Sequence, residues 1–261
     1  MNGIVDVYYG AASGQQRAAL RRLEPENVMI SHATENNTPF EGDYSLMVDS
    51  GGYHHMNAGT GEYESSDEEY IGYLRDVGPD VWVYRDYPCE PGLLDELGRT
   101  VAGQMHRTVR HHDRLDAKID DNLRRDGMVV LQGWTTEEYL DCLDRFRDRG
   151  LPMHTVGIGS VCRRGQDREI ADIILAIRDE LDDKTHLHAF GVKGSVLRFK
   201  EVCEALDSAD SGAYDYKLGR FGSGASTWRD SARYYLNWRN RLSERIGTES
   251  LTDPRQTQLK V

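Results

Sequence analysis

Cysteine and lysine are scarce in this chain of 261 residues, and long apolar runs are missing. No Cys-x-x-Cys pair occurs, so the sequence indicates neither a disulfide framework nor a zinc site, and we expect free thiols. No apolar run approaches the length of a membrane span, and the first residues lack the basic and apolar regions of a secretory signal. We therefore expect a soluble, cytoplasmic protein, located in the host cytoplasm if the source is viral. The cysteines are Cys89, Cys142, Cys162 and Cys203.

The chain is acidic, with a net charge of −12. Its basic residues are 26 Arg and only 6 Lys. This bias is expected where surface lysines have been exchanged for strongly hydrated carboxylates, and it predicts a halophilic source, such as an archaeon or one of its viruses. An ordinary acidic enzyme is the alternative. Net charge bears on solubility and steering and not on fold, so only a local basic cluster could bind a polyanion.

One stretch, Leu46 to Tyr53, combines a buried strand with chemistry. Three apolar residues run into Asp49, Ser50, two glycines and Tyr53. A β/α barrel presents its catalytic groups in this way, at the carboxyl ends of its strands. The glycines permit close approach of a flat ligand to the main chain. A solvated aspartate in a glycine turn is the alternative interpretation.

At least six strands alternate with helices along the chain, and several strands end in polar residues or glycine. That alternation predicts an α/β fold with a parallel sheet, and convergence of so many strand ends favours a (β/α)8 TIM barrel. We expect the barrel over residues 1–222 and a helical extension packed on it over residues 223–261. Further strand ends carry Arg85-Asp86, Gln132-Gly133, Gly157-Ile-Gly159 and Asp207-Ser-Ala-Asp210.

Two stretches outside these strand ends are rich in charged residues. From about Leu93 to Arg125 the pattern is helical, and its His111 and His112 suggest a metal site. Adjacent histidines on a helix point in different directions and no matching carboxylate accompanies them, so we expect a solvated helix face. The segment Lys217 to Arg245 carries seven basic and two acidic residues among aromatic ones. It predicts a phosphate-binding surface, a terminal helix packed on the barrel, or both.

The two glycines Gly157 and Gly159 lack the third glycine and the acidic partner of a dinucleotide-binding fingerprint. The strand-end motifs instead resemble, in order and approximate spacing, those of the tRNA-guanine transglycosylase superfamily. The version from Gly157 to Arg164 is similar to the branch that acts on DNA, the DpdA-type 7-deazaguanine transglycosylases. The resemblance covers roughly residues 28–222. It rests on Asp49-Ser-Gly-Gly-Tyr53, Asp86 before Pro88-Cys89, Gln132-Gly133, Gly157-Ile-Gly159, Ala189-Phe-Gly-Val192 and Asp207-Ser-Ala-Asp210.

The resemblance implies a role for each matching residue. Asp210 corresponds to the nucleophile that attacks the sugar C1′ and forms a covalent glycosyl intermediate, and Asp49 to the acid/base residue. Asp86 and Gln132 correspond to positions that hydrogen-bond the edge of the base. The remaining base-binding positions are Ser50, the backbone of Gly157 and Gly159, and the sandwiching aromatics Tyr53 and Phe190.

Two departures from the family pattern are visible. The cysteine and histidine cluster that holds structural zinc in the tRNA enzymes is missing, so no metal is expected and a nucleic acid other than tRNA is favoured. Phe190 stands where methionine is usual. The resemblance thus implies exchange of guanine in DNA for a free 7-deazaguanine, 7-cyano-7-deazaguanine by preference, with no cofactor. For phosphate contacts we expect Arg163, Arg164, Lys217 and Arg220.

Three other functions remain open on the sequence alone. Base exchange in tRNA is the alternative within the family. Two carboxylates flanking an anomeric carbon, such as Asp49 and Asp210, would also serve a nucleoside or glycoside hydrolase. A barrel that binds nucleic acid without turnover is the non-enzymatic alternative.

Overall fold

A computed structural model describes residues 5–34, 42–162, 164–211 and 227–246, with side chains through residue 244. Its eight strands form a closed barrel in chain order, and β8 pairs with β1 to complete the ring. Every strand pair is parallel, which confirms the predicted (β/α)8 TIM barrel. The strands are β1 Asp6–Gly10, β2 Asn27–Ser31, β3 Ser45–Asp49, β4 Val81–Val83, β5 Gly127–Leu131, β6 Thr155–Ile158, β7 His186–Ala189 and β8 Ser208–Ser211.

Helices surround the barrel, and their beginnings follow from the sequence. Ser13, Ser66 and Thr135 each form a capping box with the Gln or Glu three residues later, which satisfies two backbone N–H groups at a helix start. The helices are α1 Gly14–Leu23, α2 Gly52–Asn57, α3 Asp67–Val77, α4 Pro91–Leu97, α5 Val101–Asp116, α6 Asp121–Asp126, α7 Thr136–Arg147, α8 Asp167–Glu180, α9 Lys200–Ala205 and α10 Trp228–Ile246, with 3-10 turns at His32–Thr34 and Val196–Arg198.

Side chains alternate along a strand, and this alternation aims the polar strand ends into the barrel. Met47 lies in the small apolar cluster inside the ring, and Asp49, two residues later, faces the same way. Met128 and Val130 belong to that cluster too, and Gln132 continues their face beyond the end of β5. The barrel floor is therefore apolar and its carboxyl end carries the polar groups. The larger core lies between the strands and the surrounding helices.

The segment from Leu93 to Arg125 forms three helices, α4 to α6, and the prediction that His111 and His112 face solvent is wrong. His111 is 4% and His112 is 1% exposed. His112 packs against Tyr84, with ring centroids 3.8 Å apart, and against Phe146 at 5.3 Å. Burial lowers the pKa of His112 to about 4, so its imidazole is neutral at physiological pH.

Helix α10 packs on the barrel beside α1. Tyr235 is buried, and its ring centroid lies 4.5 Å from that of Tyr9 on β1. The Arg22 guanidinium of α1 lies 4.5 Å from the centre of the Trp228 ring. For this helix, the structure therefore agrees with the prediction that the segment Lys217 to Arg245 packs on the barrel. The expected boundary between residues 222 and 223 falls outside the described residues and stays a prediction.

The part of the chain that the structure describes contains no helix long and apolar enough to cross a membrane. All four cysteines are free thiols, as expected.

Candidate active site

A cavity of about 180 Å³ opens at the carboxyl end of the barrel. Residues from most of the strand ends meet there, including seven of the nine residues that the sequence placed in the catalytic and base-binding sets. Its lining consists of Met29, Asp49, Gly52, Tyr53, Asp86, Pro88, Glu90, Gln132, Gly159, Ser160, Cys162, Phe190, Gly191 and Asp210.

Asp49 closes strand β3 and pairs in register with Ser31 on β2. The backbone N–H of Gly51 donates to its Oδ2 at 3.1 Å, and the Ser31 side chain also hydrogen-bonds the carboxylate. Burial, assisted by the negative charge of Asp210, raises the pKa of Asp49 to about 6. An acid with such a pKa can both give and take a proton near neutral pH.

Asp210 lies in strand β8, next to Tyr8 of β1 in the ladder. The backbone N–H of Gly191 donates to its Oδ1 at 2.7 Å, and His188 Nε2 lies 3.4 Å from the same oxygen. His188 is fully buried, and its Nδ1 lies 2.8 Å from the Ser208 hydroxyl. These contacts orient one oxygen of Asp210. Sequence reasoning missed His188, although its period-two spacing from Phe190 places both side chains on one strand face.

Asp86 is held by hydrogen bonds on both carboxylate oxygens. Gln132 Nε2 donates to Oδ2 at 2.5 Å, and the Ser50 hydroxyl donates to Oδ1 at 3.1 Å. Tyr63 bridges the backbone of Asp86, accepting from its N–H and donating to its carbonyl. Burial, followed by the charge of Asp49, raises the pKa of Asp86 to about 7. Three of the predicted base-binding residues thus form one hydrogen-bonded group, supported by Tyr63, which the sequence did not indicate.

Ser160 and Glu90 were also missed and join the same group. The Ser160 hydroxyl accepts from the backbone N–H of Cys89 at 2.8 Å and lies 2.7 Å from Gln132 Oε1 and 3.0 Å from Glu90 Oε2. Glu90 is 7% exposed. Since these contacts join residues 28 to 71 positions apart in sequence, no local pattern could have predicted them.

The glycines at the strand ends leave room for this polar group. A Cβ on Gly159 would lie 2.2 Å from the Gln132 amide nitrogen, and one on Gly52 would lie 2.8 to 2.9 Å from atoms of Asp86 and Tyr63. Gly157 is covered by the Phe190 ring, which a Cβ would meet at 2.4 Å. The glycines therefore allow other side chains of the protein to come close to the main chain, and the predicted approach of a flat ligand stays a prediction.

Two aromatic residues supply apolar surface to the cavity. Tyr53 on α2 and Phe190 after β7 both line it, and the Phe190 ring packs edge-on to His188 at 4.6 Å. A flat heterocycle that enters the cavity therefore meets aromatic surface as well as the polar group around Asp86.

Of the four cations expected to hold phosphates, Arg164 is the one that belongs to the described residues. Arg163, Lys217 and Arg220 fall outside the described residues. Arg164 is 2% exposed, its Nε donates to the Ser160 carbonyl at 3.1 Å, and its guanidinium lies 4.1 Å from the centre of the Trp134 ring. This burial does not support the predicted phosphate contact for Arg164 and instead makes it a support of the Ser160 loop.

Across the described ranges, no group of three or more His, Cys, Asp or Glu residues is arranged to hold a metal ion. The groups at the cavity are carboxylates, an amide, hydroxyls and aromatic rings. They suit proton transfer, nucleophilic attack by a carboxylate and hydrogen bonding to a heterocycle.

Comparison with known proteins points to one family. The family model described as "DpdA: DeoxyPurine in DNA protein A" matches residues 21–258. A tRNA-guanine(15) transglycosylase of Methanosarcina acetivorans is 24% identical over 220 residues. That alignment covers 83% of this chain but 43% of the relative, so the chain spans less than half of that protein's length.

Proposed function

The chain belongs to the DpdA family, and from this membership we propose that it is a base-exchanging pentosyltransferase acting on guanine in DNA. The incoming base would be free 7-cyano-7-deazaguanine or a related 7-deazaguanine, and no metal or nucleotide cofactor takes part. The observation that carries the proposal is the meeting of Asp49, Asp210 and the Asp86–Gln132 pair in one cavity.

The first half of the reaction breaks the glycosidic bond. The Asp210 carboxylate forms a bond to C1′ of the deoxyribose as the C1′–N9 bond breaks, and the bonding electrons leave with guanine. Asp49 in its protonated form supplies the proton that the departing base needs. Orientation of Asp210 by the Gly191 N–H leaves one carboxylate oxygen for attack.

The second half restores the nucleoside. Asp49, now ionised, takes the N9 proton of the incoming deazaguanine, whose N9 attacks C1′ and displaces Asp210. Because the pKa of Asp49 is about 6, its two protonation states are close in energy near neutral pH. One residue can therefore serve both halves.

The cavity suits the edge and faces of guanine. The Asp86 carboxylate can accept hydrogen bonds from the base's N1–H and 2-amino group, and the second N–H of Gln132 can donate to its 6-oxo group. Tyr53 and Phe190 supply stacking surface. Since Asp210 is buried in the lining of the cavity, a guanine in duplex DNA must be flipped out or already single-stranded to react.

Exchange in tRNA is the second candidate, and the similarity to the archaeal tRNA-guanine(15) transglycosylase favours it. The DpdA match covers a larger part of the chain, which is why we place DNA first.

Asp210 variants test the mechanism. We expect Asp210→Ala and Asp210→Asn to lower the rate of exchange by about a thousandfold or more, because the nucleophile is gone. We also expect the wild type, but neither variant, to give a covalent protein–DNA adduct on a denaturing gel. The matched control is Asp172→Asn, which changes an exposed carboxylate on α8. This variant should exchange the base at the wild-type rate. Normal exchange by Asp210→Ala would overturn the assignment. Release of guanine without added base, leaving abasic sites, would instead indicate a hydrolase.

A further inference from the structure

Ser160 is in an unusual backbone conformation. Its φ of 54° is one of only two positive values among the described non-glycine residues. A left-handed conformation costs a residue with a Cβ about 1 kcal/mol or more, so it persists where surrounding contacts require it. Here those contacts are the three that the hydroxyl makes with Cys89, Gln132 and Glu90.

A continuous line of hydrogen bonds runs along the cavity wall through four side chains, those of Glu90, Ser160, Gln132 and Asp86. Glu90 contacts Ser160, Ser160 contacts Gln132 Oε1, and Gln132 Nε2 donates to Asp86. All four line the cavity. The amide of Gln132 is thus held at both of its ends, and its orientation decides whether it presents a donor or an acceptor to a bound base.

The number of protons limits how this line can work. Ser160 has one hydroxyl proton and faces two oxygens, Gln132 Oε1 at 2.7 Å and Glu90 Oε2 at 3.0 Å. Gln132 cannot supply another proton there because its amide nitrogen faces Asp86. Ser160 can therefore donate to only one of the two oxygens. Both contacts are hydrogen bonds only when the side chain at position 90 carries a proton and donates it to the Ser160 oxygen. A glutamine at position 90 would also bring one.

We infer that Glu90 is a positioning residue that, through Ser160, fixes the Gln132 amide for recognition of the base. This inference rests on the proposed function and adds a specificity role to a residue outside the reacting centre. Glu90 sets which way the Gln132 amide points in the pocket and takes no part in bond formation at C1′. Its loss should therefore weaken binding of the free base and leave the chemical step nearly unchanged.

Four variants test the inference through the KM for the free base and kcat. Glu90→Met keeps the side-chain length and removes the hydrogen bond, and Ser160→Ala removes the junction. We expect each to raise KM about tenfold with kcat changed less than threefold. Glu90→Gln should stay within twofold of the wild type. The double variant Glu90→Met with Ser160→Ala should be no worse than Ser160→Ala alone, because the two residues act in series.

A readout independent of activity separates failure of this inference from failure of the proposed function. The side-chain amide resonances of Gln132, assigned with Gln132→Met, should shift in Glu90→Met and Ser160→Ala and stay in place in Glu90→Gln. If the wild type exchanges no base but these shifts appear, the positioning role stands and the proposed function fails. Unshifted resonances in Glu90→Met, additive effects of the two changes, or a kcat loss without a KM change would each overturn the inference.

Discussion

At the scale of single residues, the cavity brings together four carboxylates, those of Asp49, Asp86, Glu90 and Asp210. Burial raises the pKa of Asp49 to about 6 and that of Asp86 to about 7. Each is above the value of about 3.9 for an unfolded aspartate, so between these values the folded protein binds more protons than the unfolded chain. The stability contribution of both groups therefore decreases as pH rises from about 4 to 7.

Replacement of Asp49 by asparagine should separate stability from activity. At pH 8 we expect Asp49→Asn to be more stable by on the order of 1 kcal/mol, because a buried charge near Asp210 is removed. At pH 4, where Asp49 is protonated in the wild type, the difference should vanish. Urea unfolding at both pH values measures it, and exchange should be lost at each. A variant that is less stable at pH 8 would contradict the assigned burial cost.

At the level of secondary-structure elements, the loop after β4 is fixed by hydrogen-bonded ion pairs around the buried carboxylate of Asp67. Asp67, the first residue of α3, accepts from Arg85 at 3.1 Å, His111 at 2.8 Å and Arg114 at 2.7 Å. Arg85 is 1% exposed and immediately precedes Asp86. Burial tends to raise the pKa of Asp67, but the hydrogen bonds from His111 and Arg114 outweigh it and hold the pKa well below its usual range. Helices α3 and α5 thus anchor the loop that carries Asp86.

Asp67→Asn should destabilise the protein by about 3–5 kcal/mol at pH 7, because it leaves the Arg85 guanidinium buried without its counter-charge. The folded pKa of Asp67 is depressed, so its stabilisation is present above about pH 4 and is lost as pH falls below that value. The gap between variant and wild type should accordingly narrow toward pH 3. Chemical unfolding across this range measures it, with Asp121→Asn, fully exposed, as the control. An equal difference in the free energy of unfolding at pH 7 and at pH 3 would argue against an ionic origin of the stabilisation.

The same elements show where sequence reasoning succeeds and where it stops. Strand ends such as Asp49 and Gln132 were predictable because alternation and chain order place them at one end of a parallel barrel. The burial of His112 was not predicted, although Met105, Val109 and Leu115, at helical spacing from it, form the buried stripe of α5. The Ser160–Glu90 contact joins two distant loops, and only the closed barrel brings them together.

At the level of the whole molecule, α10 packs on the barrel beside α1, and none of its described residues lines the cavity. The predicted basic surface stays a prediction, because Lys217 and Arg220 lie outside the described residues and Arg239 of α10 is 6% exposed. A halophilic source also stays a prediction from composition.

Base exchange measured in parallel in DNA and in tRNA tests the proposed reaction. Each nucleic acid, carrying labelled guanine, is incubated with the protein and 7-cyano-7-deazaguanine at high salt, and its nucleosides are then identified by mass spectrometry. Our account predicts that the deazaguanine appears in DNA and that one labelled guanine is released for each base incorporated. Incorporation into tRNA alone, or into neither nucleic acid, would contradict it.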